Sequence, residues 1–157
     1  MHLLDVVIHT GTATTGMKIR EVFTECAERN VPGLPFVDYR GKVVGRVSIR
    51  HTLKMTCIPQ YMVKAAHMLG DALDHVSLKD EEIESVLDLT VDEFVLEDVT
   101  HLSPRTPIVK ALSVMEYHNT GYVFLCDDNH YRGIVTRMGI ARVMLHMSAA
   151  GYADERG

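Results

Sequence analysis

Gly33-Leu-Pro-Phe-Val37, a polar turn, and Gly41-Lys-Val-Val-Gly45-Arg-Val-Ser48 recur as Gly121-Tyr-Val-Phe-Leu125 and Asp127-Asp-Asn-His-Tyr-Arg-Gly133-Ile-Val-Thr136. The interval from Gly33 to Gly45 equals that from Gly121 to Gly133, so the two copies register without a gap. Each reads as a short buried strand, a hairpin turn, a second strand and a helix that opens at Ser or Thr. One such unit cannot bury its apolar faces alone, so two copies imply two units packed against each other. Ligands of such pairs are expected in the cleft between the copies.

Composition agrees with this reading. The chain has 157 residues, 46% hydrophobic and 24% charged, the balance of an ordinary globular domain or of two half-size units sharing a core. Its net charge of −5 argues against a nucleic-acid partner held by bulk electrostatics. No apolar run approaches the roughly 20 residues that span a bilayer, and no basic-then-apolar leader opens the chain. No membrane association is expected. Cys26, Cys57 and Cys126 lack paired spacing and read as buried thiols of a reducing compartment, which points to the cytoplasm.

Outward from the repeated stretch, Leu3 to Ile8 is a short apolar segment, followed by the Thr- and Gly-rich Thr10 to Gly16. Ile19, Val22, Phe23, Cys26 and Ala27 mark one face of a helix over Ile19 to Arg29, which should stop before Pro32-Gly33. Leu34 to Val37 and Lys42 to Val47 read as hairpin strands, and Ser48 to Cys57 as a helix. In the second copy, starting near Phe94, Val99 to Leu102 is a short strand. Ser103-Pro-Arg-Thr-Pro107 turns into a helix with Ile108, Ala111, Leu112 and Met115 on one face. Tyr122 to Leu125 and Gly133 to Val135 are strands, and a helix runs from Thr136 to about Met147. Ala149 to Gly157 reads as a frayed tail.

Between the copies, Met62, Ala65, Ala66, Leu69, Ala72, Leu73 and Val76 form an amphipathic stripe with Pro59 at a tolerated first-turn position. It carries more apolar surface than one small module needs, so part of it is expected at a dimer or partner interface. A second helix is expected over Lys79 to Leu87, and Thr90 with Glu93 gives a capping-box signal. The acidic stretch Asp80 to Asp98 reads as a solvated face or a surface for a basic partner. The resulting division is a first repeat over 1–57, a helical insertion over 58–92, a second repeat over 93–150 and a tail over 151–157.

The order strand, helix, strand, strand, helix, given twice, resembles a tandem pair of CBS domains, or Bateman module. The resemblance rests on Val99-Thr-His-Leu-Ser-Pro-Arg-Thr-Pro-Ile108, Ala111-Leu112, Met115, Gly121-Tyr-Val-Phe-Leu125 and Gly133-Ile-Val-Thr-Arg137. The first copy adds Gly33-Leu-Pro-Phe-Val-Asp38 and Gly45-Arg-Val-Ser48. It implies an α/β fold with two β-α-β-β-α repeats about a pseudo-two-fold axis, and a regulatory module that is not an enzyme. It also implies adenine-containing ligands (AMP, ADP, ATP or S-adenosylmethionine) in clefts between the repeats, with homodimers shaped as flat discs. Phe36 and Val37 should face the shared core as Phe124 and Leu125 do.

Candidate ligand residues follow. Ser48 and Thr136 stand where a strand passes into a helix; each hydroxyl can cap its own helix or, with the free first-turn amides, meet a phosphate. The resemblance places a ribose-gripping Asp three residues further on, where this chain has His51 and Gly139. Neither accepts two hydrogen bonds from a diol as a carboxylate does. Leu34, Pro35, Tyr122 and Val123 occupy the strand that lines the adenine slot in such proteins, and otherwise read as core. Arg46, Arg50 and His51 cluster at the first helix start, and Arg132, Arg137 and Arg142 at the second; arginine forks suit phosphates and carboxylates. Any nucleotide is expected to bind weakly and on the second copy, because Gly139 leaves room and exposed amides where His51 fills the first cleft. Thr136 and neighbouring amides are then expected at the phosphate, with Tyr122 to Val123 along the base.

Other chemistry is sparse. His67, Asp71 and His75 could offer zinc two imidazoles and a carboxylate from one helix face, but no fourth ligand is evident and no metal is expected. His118 and His130 read as exposed residues on unrelated elements. Met62, Met68, Met115 and Met144 read as core gap-fillers. No nucleophile elbow, Walker loop, dinucleotide glycine fingerprint or paired-cysteine motif is present. The expectation is therefore a ligand sensor acting on an unidentified regulated protein; the alternative is a ligand-free dimerisation scaffold whose clefts are filled by its own side chains.

Overall fold

The computed structural model describes residues 1–63 and 77–154. The elements are α1 (Leu3–Val6), α2 (Ile19–Arg29), β1 (Gly33–Val37), β2 (Val43–Ser48), α3 (Ile49–Cys57), α4 (Asp80–Leu87), a 3-10 turn (Val91–Phe94), β3 (His101–Leu102), α5 (Ile108–Tyr117), β4 (Tyr122–Asp127), β5 (His130–Thr136) and α6 (Arg137–Asp154). The fold is α/β: β1 and β2 form an antiparallel hairpin, while β4 pairs with β5 antiparallel and with β3 parallel.

The internal repeat is kept down to single residues. β3 meets β4 through His101 and Phe124, and the matching contact of the first repeat is one parallel bridge between Ala13 and Phe36. Asn30 after α2 and Asn119 after α5 both take left-handed backbone. The next amides, Val31 and Thr120, return to the carbonyls of Cys26 and Met115 at 2.9 Å. This closure satisfies the last carbonyls of each helix before the strand begins.

The repeats also exchange their leading segments. Ile8 pairs with Ile134 on the edge of β5 (N···O 2.8 and 2.9 Å), and Leu96 pairs with Arg46 on the edge of β2 at the same two distances. The shift that carries Gly33 to Gly121 relates these bridges, which makes the axis a pseudo-two-fold. Gly45 and Gly133 are the points where the other segment crosses. A Cβ on Gly45 would stand 2.6 Å from Val95 Cγ1 and 2.8 Å from the Leu96 carbonyl oxygen, and one on Gly133 would meet the equivalent Val7 Cγ2. The shared core joins Leu34, Val47, Val22 and Cys26 of the first repeat to Tyr122, Phe124, Cys126 and Ile134 of the second, with Phe36 packed against it. Burial pushes the Cys26 thiol up to about 12 and the Cys126 thiol up to about 11, so both are uncharged at neutral pH.

Several expectations are corrected. Leu125 faces a second cluster with Leu3, Val6, Ala111, Met115 and Ile140, and Val37, though buried, lies outside the shared core. The short apolar segment at the start of the chain holds a helical turn, in which Leu3 and Val6 cover the second repeat. Leu112 and Met144 are exposed, since their helices bury a narrower stripe. Thr90 precedes a 3-10 turn without a side-chain capping bond. The tail expected to fray is helical as far as Asp154. The acidic stretch is stitched to the first repeat: Glu84 and Asp88 accept from Arg20 at 2.8 and 3.3 Å, and Asp92 accepts from the Gly16 amide at 2.8 Å. These contacts are exposed, so solvent and salt screen them and they add little to stability.

Most of the amphipathic stripe, with Met68 and the His67, Asp71 and His75 set, lies outside the described residues. Among the described residues no group of three or more His, Cys, Asp and Glu is placed to hold a metal ion, and no helix is long and apolar enough to cross a membrane.

Candidate functional site

Strand β2 delivers Ser48 to the start of α3, and the turn after α5 delivers His118 to Gly121 opposite it. Between them lies a cavity of about 310 Å³. Its basic lining is Arg46, Arg50, His51 and Lys54 from one repeat and His118 from the other. Pro32, Leu96 and Tyr122 supply the apolar wall, and Ser48, Asn119 and Thr120 the neutral polar groups. Among the described residues the lining contains no carboxylate. In a chain of net charge −5, this concentrates positive charge where field lines are focused by low-dielectric walls.

Arg46 ties the two repeats together across this cleft. Nη1 donates to the Tyr122 hydroxyl at 2.9 Å, Nε to the Asp98 carbonyl at 2.8 Å and Nη2 to the Asp98 carboxylate at 3.0 Å. Burial works to lower the Arg46 pKa, but Tyr122 and Asp98 outweigh it and hold it above its ordinary value. Burial pushes the Tyr122 pKa up, so its hydroxyl stays protonated and accepts from Arg46. A second, smaller cavity of about 90 Å³ lies behind this contact, lined in part by Asp98, Thr100 and Phe124.

The helix start itself has little left to offer an anion. The first amide of α3, Ile49, donates to the Pro32 carbonyl at 3.0 Å, and the third, His51, donates to Ser48 Oγ at 3.0 Å. The second repeat does the same: Arg137 N donates to the Gly121 carbonyl at 3.1 Å and Gly139 N to Thr136 Oγ1 at 2.9 Å. Ser48 and Thr136 are therefore helix caps, each buried, and the first and third amides of each helix are already engaged. Charge recognition falls to the long basic side chains.

The second cleft differs from the expectation of extra room. A Cβ on Gly139 would lie 3.1 Å from Thr136 Oγ1 and 3.4 Å from Ile8 Cδ1, because the leading segment of the first repeat crosses there. With the Asn30 amide oriented toward the guanidinium, its oxygen accepts from Arg142 Nη1 at 3.0 Å. Arg137 pairs with Glu116 at 3.0 Å on the outer face. The cations of this helix are thus engaged by the chain's own groups. Among the described residues, Arg50, His51 and Lys54 have no such ion pair.

The structure brings Ser48, His51 and Tyr122 together in one cleft. Leu34, Pro35 and Val123 are buried strand residues outside its lining, and Thr136, Arg137 and Gly139 stand at the other helix start. Lys54, Asn119 and Thr120 were not singled out by the sequence, and His118 was read as merely exposed. Lys54 was legible as one turn beyond Arg50, but His118 to Thr120 belong to the other repeat and carried no local signal.

Residues 91–146 match the family model of the CBS domain. No curated protein matches the chain. Among solved structures, the AcuB protein from Vibrio cholerae, named for acetoin utilization, is similar over 98% of this chain and 96% of its own, at 15% identity and a TM-score of 0.65. The CBS domain of a membrane protein from Sphaerobacter thermophilus is similar over 89% of this chain and 85% of its own, at 20% identity and a TM-score of 0.62. The CBS-domain pair of protein MJ0100, in complex with 5′-methylthioadenosine and S-adenosyl-L-methionine, covers 94% of this chain and 98% of its own at 20% identity and a TM-score of 0.59.

Proposed function

For a chain that carries a CBS domain at residues 91–146 and folds as a CBS-domain pair, we propose a regulatory ligand-sensing role without catalysis. The ligand is an anionic, adenosine-bearing molecule such as AMP, ADP or ATP, held between Ser48–Lys54 and His118–Tyr122. One observation carries this reading: the lining presents Arg46, Arg50 and Lys54 with two imidazoles and, among the described residues, no carboxylate. The apolar wall of Pro32, Leu96 and Tyr122 suits a base, while Arg50, His51 and Lys54 suit the phosphates. That a similarly folded pair is found with adenosine compounds supports the class of ligand. S-adenosylmethionine, a sulfonium cation, fits this lining less well than a nucleotide.

The two walls belong to different repeats. A ligand can therefore bias their arrangement by its differential affinity for two states, and so signal to a partner protein. The proposal includes a cytoplasmic homodimer, since α5 leaves Val109 and Tyr117 exposed and α6 leaves Met144 and Leu145 exposed, apolar surface that an interface would cover.

The test is thermal unfolding with AMP, ADP and ATP. At ten times Kd, ligand stabilises the folded state by about 1.4 kcal/mol, a rise in Tm of about 3–5 °C for a domain of this size. No shift with any of the three at millimolar concentration would contradict the proposal and favour the ligand-free scaffold.

A further inference from the structure

Resting on that reading of the first cleft, we infer that its specificity is for a polyphosphate chain, and that the ribose hydroxyls are not read. A cis-diol is a pair of donors and needs acceptors. Of the neutral side-chain oxygens in the lining, Ser48 Oγ already accepts from the His51 amide at 3.0 Å and Thr120 Oγ1 from the Tyr122 amide at 3.5 Å, which leaves that of Asn119. With no carboxylate among the described lining residues, no ionised acceptor stands ready to take both hydroxyls at once. The surplus in this cleft is of donors.

Those donors are arranged for an extended anion rather than a point charge. Arg50, His51 and Lys54 follow one another along the first turns of α3, so Arg50 and Lys54 share a face at a four-residue spacing. His118 faces them from the other repeat. The helix amides that would hold one compact phosphate are consumed at Ile49 and His51. A single phosphate engages one or two of these side chains, whereas a di- or triphosphate reaches several. Arg46 adds positive charge at the back of the cleft, its three nitrogens already donating to Tyr122 and Asp98. The same chemistry could come from a nucleotide or from a free polyphosphate.

Calorimetry on the full chain distinguishes the sources, with ATP, AMP, 2′,3′-dideoxy-ATP, adenosine and inorganic tripolyphosphate as probes. ATP should bind at least about tenfold more tightly than AMP, since each added charge-assisted contact is worth about that factor. Dideoxy-ATP should match ATP within about threefold, and His51→Asp should weaken ATP while creating a preference for it over the dideoxy form. Dideoxy-ATP weaker than ATP by about tenfold or more, or adenosine as tight as ATP, overturns the inference but leaves nucleotide binding standing. Tripolyphosphate as tight as ATP supports the inference and removes the adenine from the proposed function. No heat with any probe overturns both.

Discussion

Gly45→Val is expected to be strongly destabilising. Its Cβ would fall 2.8 Å from the Leu96 carbonyl oxygen and 2.6 Å from Val95 Cγ1. The first of these is backbone, which cannot rotate away. The crossing segment must move, and the two bridge hydrogen bonds between Arg46 and Leu96 go with it. Overpacking of this kind and two lost bonds together cost about 3–5 kcal/mol, a large part of the 5–15 kcal/mol that holds a typical domain. Tm should fall by about 10 °C or more. Gly121→Ala is the control, because nothing lies within 4 Å of its Cβ. A Gly45→Val protein that melts within 2 °C of the parent, on the order of 1 kcal/mol, would show that Leu96 does not cross β2 as described.

The largest effect on binding is expected from Arg50→Glu combined with Lys54→Glu. Both side chains are exposed at the rim of the cleft, so folding should be little affected. The helix dipole works in opposite directions at the two sites, favouring a carboxylate near the start of α3 and disfavouring one toward its end. Binding is another matter. Two charge-assisted contacts to phosphate are removed, each worth about 1.5–3 kcal/mol, and two negative charges are added. ATP affinity should fall by about a hundredfold or more. Calorimetry checks this, with an unchanged Tm in the absence of ligand as the companion readout. Wild-type affinity in the double variant would place the anion elsewhere.

Much of the fold could be read locally because its signals are local. The apolar spacing of Ile19, Val22 and Cys26 with Pro32-Gly33 behind it bounds α2 where the structure has it. Ser48 and Thr136 announce α3 and α6 because a helix after a strand needs a cap. What could not be read is the crossing. Ile8 and Leu96 join the other repeat through single-residue bridges, which carry no periodicity, so Gly45 and Gly133 were visible as a repeated pair without their reason. The same crossing misled the reading of Gly139. Locally a glycine leaves room, but the capping hydroxyl of Thr136 takes up part of it and Ile8, from the far end of the chain, lines the rest.

The cleft was half legible for the same cause. Ser48, Arg50 and His51 sit together in sequence, whereas His118 meets them only when the repeats pack. Leu34, Pro35 and Val123 belong to the strands expected at the base, but they turn into the apolar interior and leave Tyr122 at the wall.

The central claim is that the first cleft, not the second, takes an anionic nucleotide. The direct measurement is a titration of the isotope-labelled chain with ATP, following every backbone amide resonance. The account predicts saturable shifts concentrated at Ser48 to Lys54 and at His118 to Tyr122, with Ile8, Asn30 and Thr136 to Arg142 unmoved. Shifts centred on Thr136 to Arg142, or none that saturate, would contradict it.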